Sequence, residues 1–202
     1  VCEEAETVDV AGKVVAPGLI DIHCHLRDPG FPEREDLKTG TRCAAVGGFT
    51  TLIAMPNTEP VCDNPVVAEY VISKSKRVGV VNVFPFGSIT MGQLGQELVP
   101  FTELVEAGCV AFSDDGQPVN NAGLMRQALI TAKAINKLLS VHCEYRSITG
   151  DGVINDGEVS RRLGIKGIPY TSEALMVGRD ILLAEETGGQ VHICHVGCAR
   201  SV

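Results

Sequence analysis

Two histidines flank a cysteine in "GLIDIHCHLRDPG", residues 18–30, where an apolar run turns polar. In an extended strand successive side chains alternate between faces, so His23 and His25 share one face and Cys24 takes the other. Neutral imidazoles bind zinc and related ions, and a same-face pair is half of a metal site. Two core histidines satisfied by hydrogen bonds are the plainer alternative. The set grows along the chain: His142 falls in "LLSVHCE", His195 in "QVHICHV", and Asp114 and Asp115 close "GCVAFSDD". Four histidines and a carboxylate exceed what one tetrahedral ion needs, which points to two ions bridged by the carboxylate.

Alternation also sorts the neighbours of these residues. Asp114 and Asp115 cannot both face the site if the strand stays extended, so one binds metal and the other makes structural hydrogen bonds. Periodicity leaves open which. His192 and His195 fall on opposite faces, and His195, at the strand end, is the expected ligand. Cys24, Cys143 and Cys194 each sit beside a ligand histidine and are expected to turn outward as small apolar residues. Arg27 and Asn57 lie close enough to the strand ends to bind a substrate carboxylate or amide. A surface ion pair for Arg27 and a turn-forming role for Asn57 are the alternatives.

The elements that must hold these residues are six short apolar runs: 18–25, 49–56, 78–86, 108–115, 138–144 and 190–196. Between them lie segments with apolar residues at helical spacing, such as "NPVVAEYVISKSKR" and "GLMRQALITAKAIN". Gly47 and Gly48 are expected to end a helix and turn the chain into the second run. Fully apolar strands alternating with helices predict a parallel sheet covered by helices. Neither GxGxxG nor GxxxxGK[ST] is present to support an open nucleotide-binding sheet. The polar residues gather at the strand C-terminal ends, where (β/α)8 barrels keep their active sites. The expected fold is therefore an α/β TIM barrel with about six of its eight strands in this chain, and the count suggests a truncated barrel.

The 202 residues carry a formal net charge of −8 with no acidic tail, so electrostatic attraction to nucleic acid or anionic lipid has no support. No apolar stretch reaches the ~18 residues of a membrane span, and "VCEEAETVDV" is acidic where a secretory signal would be basic. Eight cysteines without a CxxC pair, mostly inside apolar runs, read as free thiols of a reducing compartment. A soluble cytoplasmic protein acting on a small molecule is expected.

"VVAPGLIDIHCHLRDPG" and "GTRCAAVGGFTTLIAMPNTEP" closely resemble the opening of the dihydroorotase family of the amidohydrolase superfamily. "FSDDGQPV", "SVHCE", "RRLGIKGIPYTSEA", "VGRDILLAEETGG" and "VHICHVG" continue the resemblance in the same order. It implies two zinc ions per subunit, one held by His23 and His25, the other by His142 and His195, with Asp115 bridging them. Arg27 and Asn57 would bind the substrate carboxylate. Hydantoinases and allantoinases often bridge with a carboxylated lysine, and "CVAFSDDG" has none, which points to the aspartate-bridged type. The sequence departs from the family pattern at Tyr145, where a second acid is common, and at Gly197, where a serine is common.

The implied reaction is the reversible interconversion of N-carbamoyl-L-aspartate and (S)-dihydroorotate in pyrimidine (UMP) biosynthesis. Residues 1–16 would be a remnant of the family's small β-sandwich, and 17–202 the partial barrel. The family's general acid/base aspartate follows the eighth strand and is expected beyond Val202, so this chain alone is expected to be inactive. The resemblance allows a homodimer and aspartate transcarbamoylase as partners. The competing readings are an allantoinase or dihydropyrimidinase, and a noncatalytic scaffold for aspartate transcarbamoylase.

Overall fold

The computed structural model describes residues 6–202, so the first five residues of the 1–16 segment lie outside the described residues. Residues 6–18 form neither helix nor strand. Strand β1 (Leu19–Cys24) is followed by α1 (Leu37–Val46), β2 (Phe49–Ala54), α2 (Pro65–Val78), β3 (Asn82–Gly87), α3 (Phe101–Glu106) and β4 (Ala111–Phe112). Then come α4 (Ala122–Ala134), β5 (Leu138–Val141), α5 (Arg146–Thr149), β6 (Ile154–Asn155), α6 (Glu158–Leu163), β7 (Gly167–Ile168), α7 (Thr171–Thr187) and β8 (Gln190–Ile193).

Six strands form one sheet in the order β1-β2-β3-β4-β5-β8, every neighbouring pair parallel. These are the six expected strands, each shorter than its apolar run. The run at 78–86 begins late because Val78 still belongs to α2. The run at 108–115 pairs only through Ala111 and Phe112. The additional parallel pair β6–β7 lies in the excursion between β5 and α7. Its two-residue strands carry no periodicity that a sequence reading could use.

Local chemistry explains where the helices start. Asp36 caps α1 by accepting from the Thr39 N–H, and Thr39 Oγ1 in turn accepts from the Asp36 N–H, forming a capping box. Asn64 caps α2 with Pro65 in its first turn, and Asn121 caps α4. Gly48, at φ +82°, makes the turn from α1 into β2 that a side chain would strain.

Strand alternation builds two apolar layers. On the helix side, Leu52, Ala54 and Val83 pack with Leu26, Leu37 and Val71. Phe112, Leu139 and Val141 pack there with Leu129 and Met176. On the concave side, Met55, Phe86 and Ala111 form a smaller cluster with Ile53, Leu138 and Cys194. Each fully buried large aliphatic or aromatic chain contributes roughly 1.5–3 kcal/mol, so these layers fix the sheet on which the strand ends stand. Among the described residues no helix is long and apolar enough to cross a membrane.

Candidate metal centre

The polar residues at the strand ends converge on Asp115. Its Oδ2 lies 3.5 Å from His23 Nε2 and 3.3 Å from His25 Nε2. Its Oδ1 lies 3.6 Å from His142 Nδ1 and 3.8 Å from His195 Nε2. One carboxylate thus turns one oxygen to each histidine pair. The sequence left Asp114 and Asp115 undecided, and the structure separates them sharply.

Asp114 turns away from the histidines and is buried. Its Oδ1 accepts from the backbone N–H of Ile89 at 2.7 Å and of Thr90 at 3.1 Å, and the Thr90 hydroxyl donates to Oδ2. Burial pushes its carboxyl up to about 6, against the pull of the Thr90 and Ile89 donors. These bonds tie the chain after β4 to the chain after β3. Asp115 is held from its own side, its N–H donating to Ser113 Oγ at 3.0 Å.

The spacing suits ions rather than hydrogen bonds. Donors sharing one tetrahedral zinc at about 2.0–2.1 Å from it stand roughly 3.4 Å apart. The four carboxylate-to-imidazole distances, 3.3 to 3.8 Å, scatter around that edge and exceed a normal N–H···O bond. His142 Nδ1 and His195 Nε2 approach to 3.0 Å, and two neutral imidazoles with lone pairs so placed need a proton or a cation between them. Two groups, His23–His25–Asp115 and Asp115–His142–His195, each keep their donor atoms within 4.8 Å of one another. The donor set fits a divalent cation in each half.

Without ions, protons take that place. Asp115 raises His23 to about 10, aided by Cys194, with burial opposing. Burial disfavours the charged form of Asp115, yet His142, His195 and His23 hold its carboxyl far below the usual carboxylate range. Burial lowers His25.

Two ligand histidines have outer partners. His25 Nδ1 lies 3.0 Å from Asn57 Oδ1, and His142 Nε2 lies 3.0 Å from Glu144 Oε2. Asn57, a candidate substrate residue, therefore holds His25 with its oxygen and keeps its amide N–H groups for other partners. Glu144 was missed by the sequence reading, although its place two residues after His142 was a usable signal. Arg27 has no ion pair among the described residues, against the surface-pair alternative, and its charge acts on His25. Its backbone takes φ +54°, uncommon for a residue other than glycine.

One alternation argument fails. Cys24 packs outward with the Leu52 and Val83 layer, and Cys143 lies in the outer layer beside Asp180, as expected. Cys194 instead joins the concave-side cluster, 3.2 Å from Ser140 Oγ and in contact with His23. Val191 and Ile193 pack in the outer layer, so alternation itself turns Cys194 inward; the expectation failed because it counted from His195, which turns inward out of step once the β8 ladder has ended. His192 joins neither ligand group.

Residues 12–201 match the family model described as dihydro-orotase-like. The chain is 54% identical over 98% of its length to a dihydroorotase of Pelotomaculum thermopropionicum, covering 46% of that protein. It is 52% identical over 98% of its length to a dihydroorotase of Geobacter sulfurreducens, covering 47% of it. The chain thus spans about half the length of the curated relatives it matches. Among solved structures, L-hydantoinase from Arthrobacter aurescens aligns with TM-score 0.70 at 22% identity, covering 89% of this chain and 42% of that one. The Saccharomyces cerevisiae dihydroorotase in complex with 5-fluoroorotic acid aligns with TM-score 0.62 at 14% identity, covering 89% and 48%. These likenesses show the fold, a (β/α)8 barrel of which this chain supplies the six-stranded parallel part. With a family match across nearly its whole length, the chain belongs to the dihydroorotase-like family.

Proposed function

We propose that the protein to which this chain belongs is a zinc-dependent dihydroorotase, interconverting N-carbamoyl-L-aspartate and (S)-dihydroorotate. The observation that carries the reading is Asp115, placed with one oxygen toward each histidine pair at a position where the sequence has no lysine. An aspartate bridge favours dihydroorotase over hydantoinase and allantoinase, and the dihydroorotase relatives are 50% identical or more.

His23, His25 and Asp115 Oδ2 would hold one ion, and Asp115 Oδ1, His142 and His195 the second. When bound, the ions would supply Lewis acidity to a substrate carbonyl and lower the pKa of water. The chain's own residues do the rest. Arg27 offers a planar guanidinium fork that suits a carboxylate bidentately. Asn57 has its oxygen held by His25, which leaves its amide N–H groups free to donate to a substrate oxygen. Asp114 and Ser113 keep Asp115 in register between the histidine pairs, which preserves the reacting geometry that hydrolysis of a ring amide requires. A cytoplasmic location is supported by free cysteines at every described position.

The test is turnover by the full-length protein of dihydroorotate against hydantoin, dihydrouracil and allantoin, before and after chelation. Dihydroorotate should be preferred, and activity should vanish with the chelator and return with zinc. Preference for another cyclic amide, or full activity after chelation, would refute the reading.

A further inference from the structure

Among the described residues, the two halves of the centre are alike in their inner donors and unlike behind them. His25 rests on a neutral amide oxygen, Asn57 Oδ1, which leaves Nε2 to face Asp115. His142 rests on a carboxylate, Glu144, which leaves Nδ1 to face Asp115. An acceptor-only carboxylate at 3.0 Å fixes the proton on Nε2 of His142 and makes the ring a stronger donor to a cation than an amide partner does. Charge acts in the same direction. Arg27 places a cation near His25, while Glu144 places an anion beside His142.

We propose that Glu144 and Asn57 are positioning residues that make the centre asymmetric, so that the His142–His195 half binds a divalent cation more tightly and fills first. The inference rests on the two-ion reading of the site given above.

The experiment titrates the metal-free, full-length protein with zinc alone, read by calorimetry against a competing chelator, with cobalt absorption reporting the geometry of each step. The wild type should take up two equivalents in two resolved steps. Glu144→Gln keeps the size and an acceptor oxygen but removes the charge, and it should weaken the first step about 10-fold or more, the scale of outer-partner effects on metal affinity. Asn57→Ala should weaken the second step and spare the first. Glu144→Asp, which retains the charge, should recover much of the first step. Two equal steps in the wild type, or equal losses in Glu144→Gln and Glu144→Asp, would overturn the asymmetry and leave the two-ion centre standing. No zinc uptake by the folded wild type would overturn both.

Discussion

Lys74 Nζ, on α2, lies 2.8 Å from Oδ2 of Asp28, a carboxylate with only 3% of its side chain exposed. Tyr70 donates to the same carboxylate at 3.0 Å, and the N–H of Leu37 adds a long bond at 3.4 Å. Asp28 directly follows Arg27, whose φ of +54° costs free energy unless the surroundings impose it. The Asp28 clamp fixes the chain directly after the candidate substrate arginine.

Removing Asp28 strands three donors, from Lys74, Tyr70 and Leu37, around a buried position. Asp28→Ala should destabilise the protein by ~1–3 kcal/mol, the usual cost of orphaned partners. Lys74→Met should cost less, because Lys74 is partly exposed and its ion pair is screened. In both, the KM for dihydroorotate should rise more than kcat falls, since Arg27 loses its orientation and the metal ligands do not. A fall in kcat with unchanged KM would refute the clamp.

Asp115→Asn keeps the size of the side chain and removes the charge that both histidine pairs share. Zinc content should drop below two equivalents, and turnover should fall by more than ~100-fold, above the range for outer partners. Metal analysis of the purified variant alongside kcat is the check. A variant with full zinc and full turnover would dismiss Asp115 as the bridge.

Metal uptake should release protons. Asp115 and Cys194 push His23 up to about 10, so the metal-free ring is protonated at neutral pH, whereas a ligating imidazole must be neutral. Apparent zinc affinity should therefore rise about tenfold per pH unit for each proton expelled, up to the folded pKa of His23. The metal-free protein shows the opposite sign. A raised histidine pKa stabilises fully below the ordinary value of 6.5, and that stability is lost as pH rises through about 10. Calorimetry in buffers of different ionisation enthalpy measures the released protons directly, and a count of zero would contradict the argument.

The sheet was legible because burial on both faces leaves long apolar runs, and five of the six strands lie inside the runs read from the sequence, β3 passing the end of its run by Gly87 alone. Their ends were not, because the ladders stop at Cys24, Phe112, Val141 and Ile193, just before most of the chemistry begins. Counting from the ligand histidines placed Cys24 and Cys143 and misplaced Cys194, because His195 itself departs from the alternation of β8. The choice of Asp115 over Asp114 depended on donors from Ile89 and Thr90, which are distant in sequence and carry no local signal. The ligand histidines were legible from their residue type and position. Their outer partners, Asn57 and Glu144, were not assigned to that role, because a side chain two or thirty-two positions away reveals its partner only in the fold.

The inward turn of Cys194 makes a prediction that separates the structure from a parity counted from His195. On the concave side Cys194 touches Ser140 and His23, with Ile53 and Leu138 in the same cluster, and a larger side chain there must press toward the centre. Cys194→Leu should lower zinc content and turnover while costing ~1–3 kcal/mol of stability, the range for overpacking. Cys194→Ala, which only removes volume, should keep both ions. If Cys194 faced the helices, Cys194→Leu would instead disturb the packing of α7 and leave zinc content unchanged. Measuring zinc content and thermal stability on the same two variants decides between the two faces, because only the inward placement couples side-chain volume at this position to the metal.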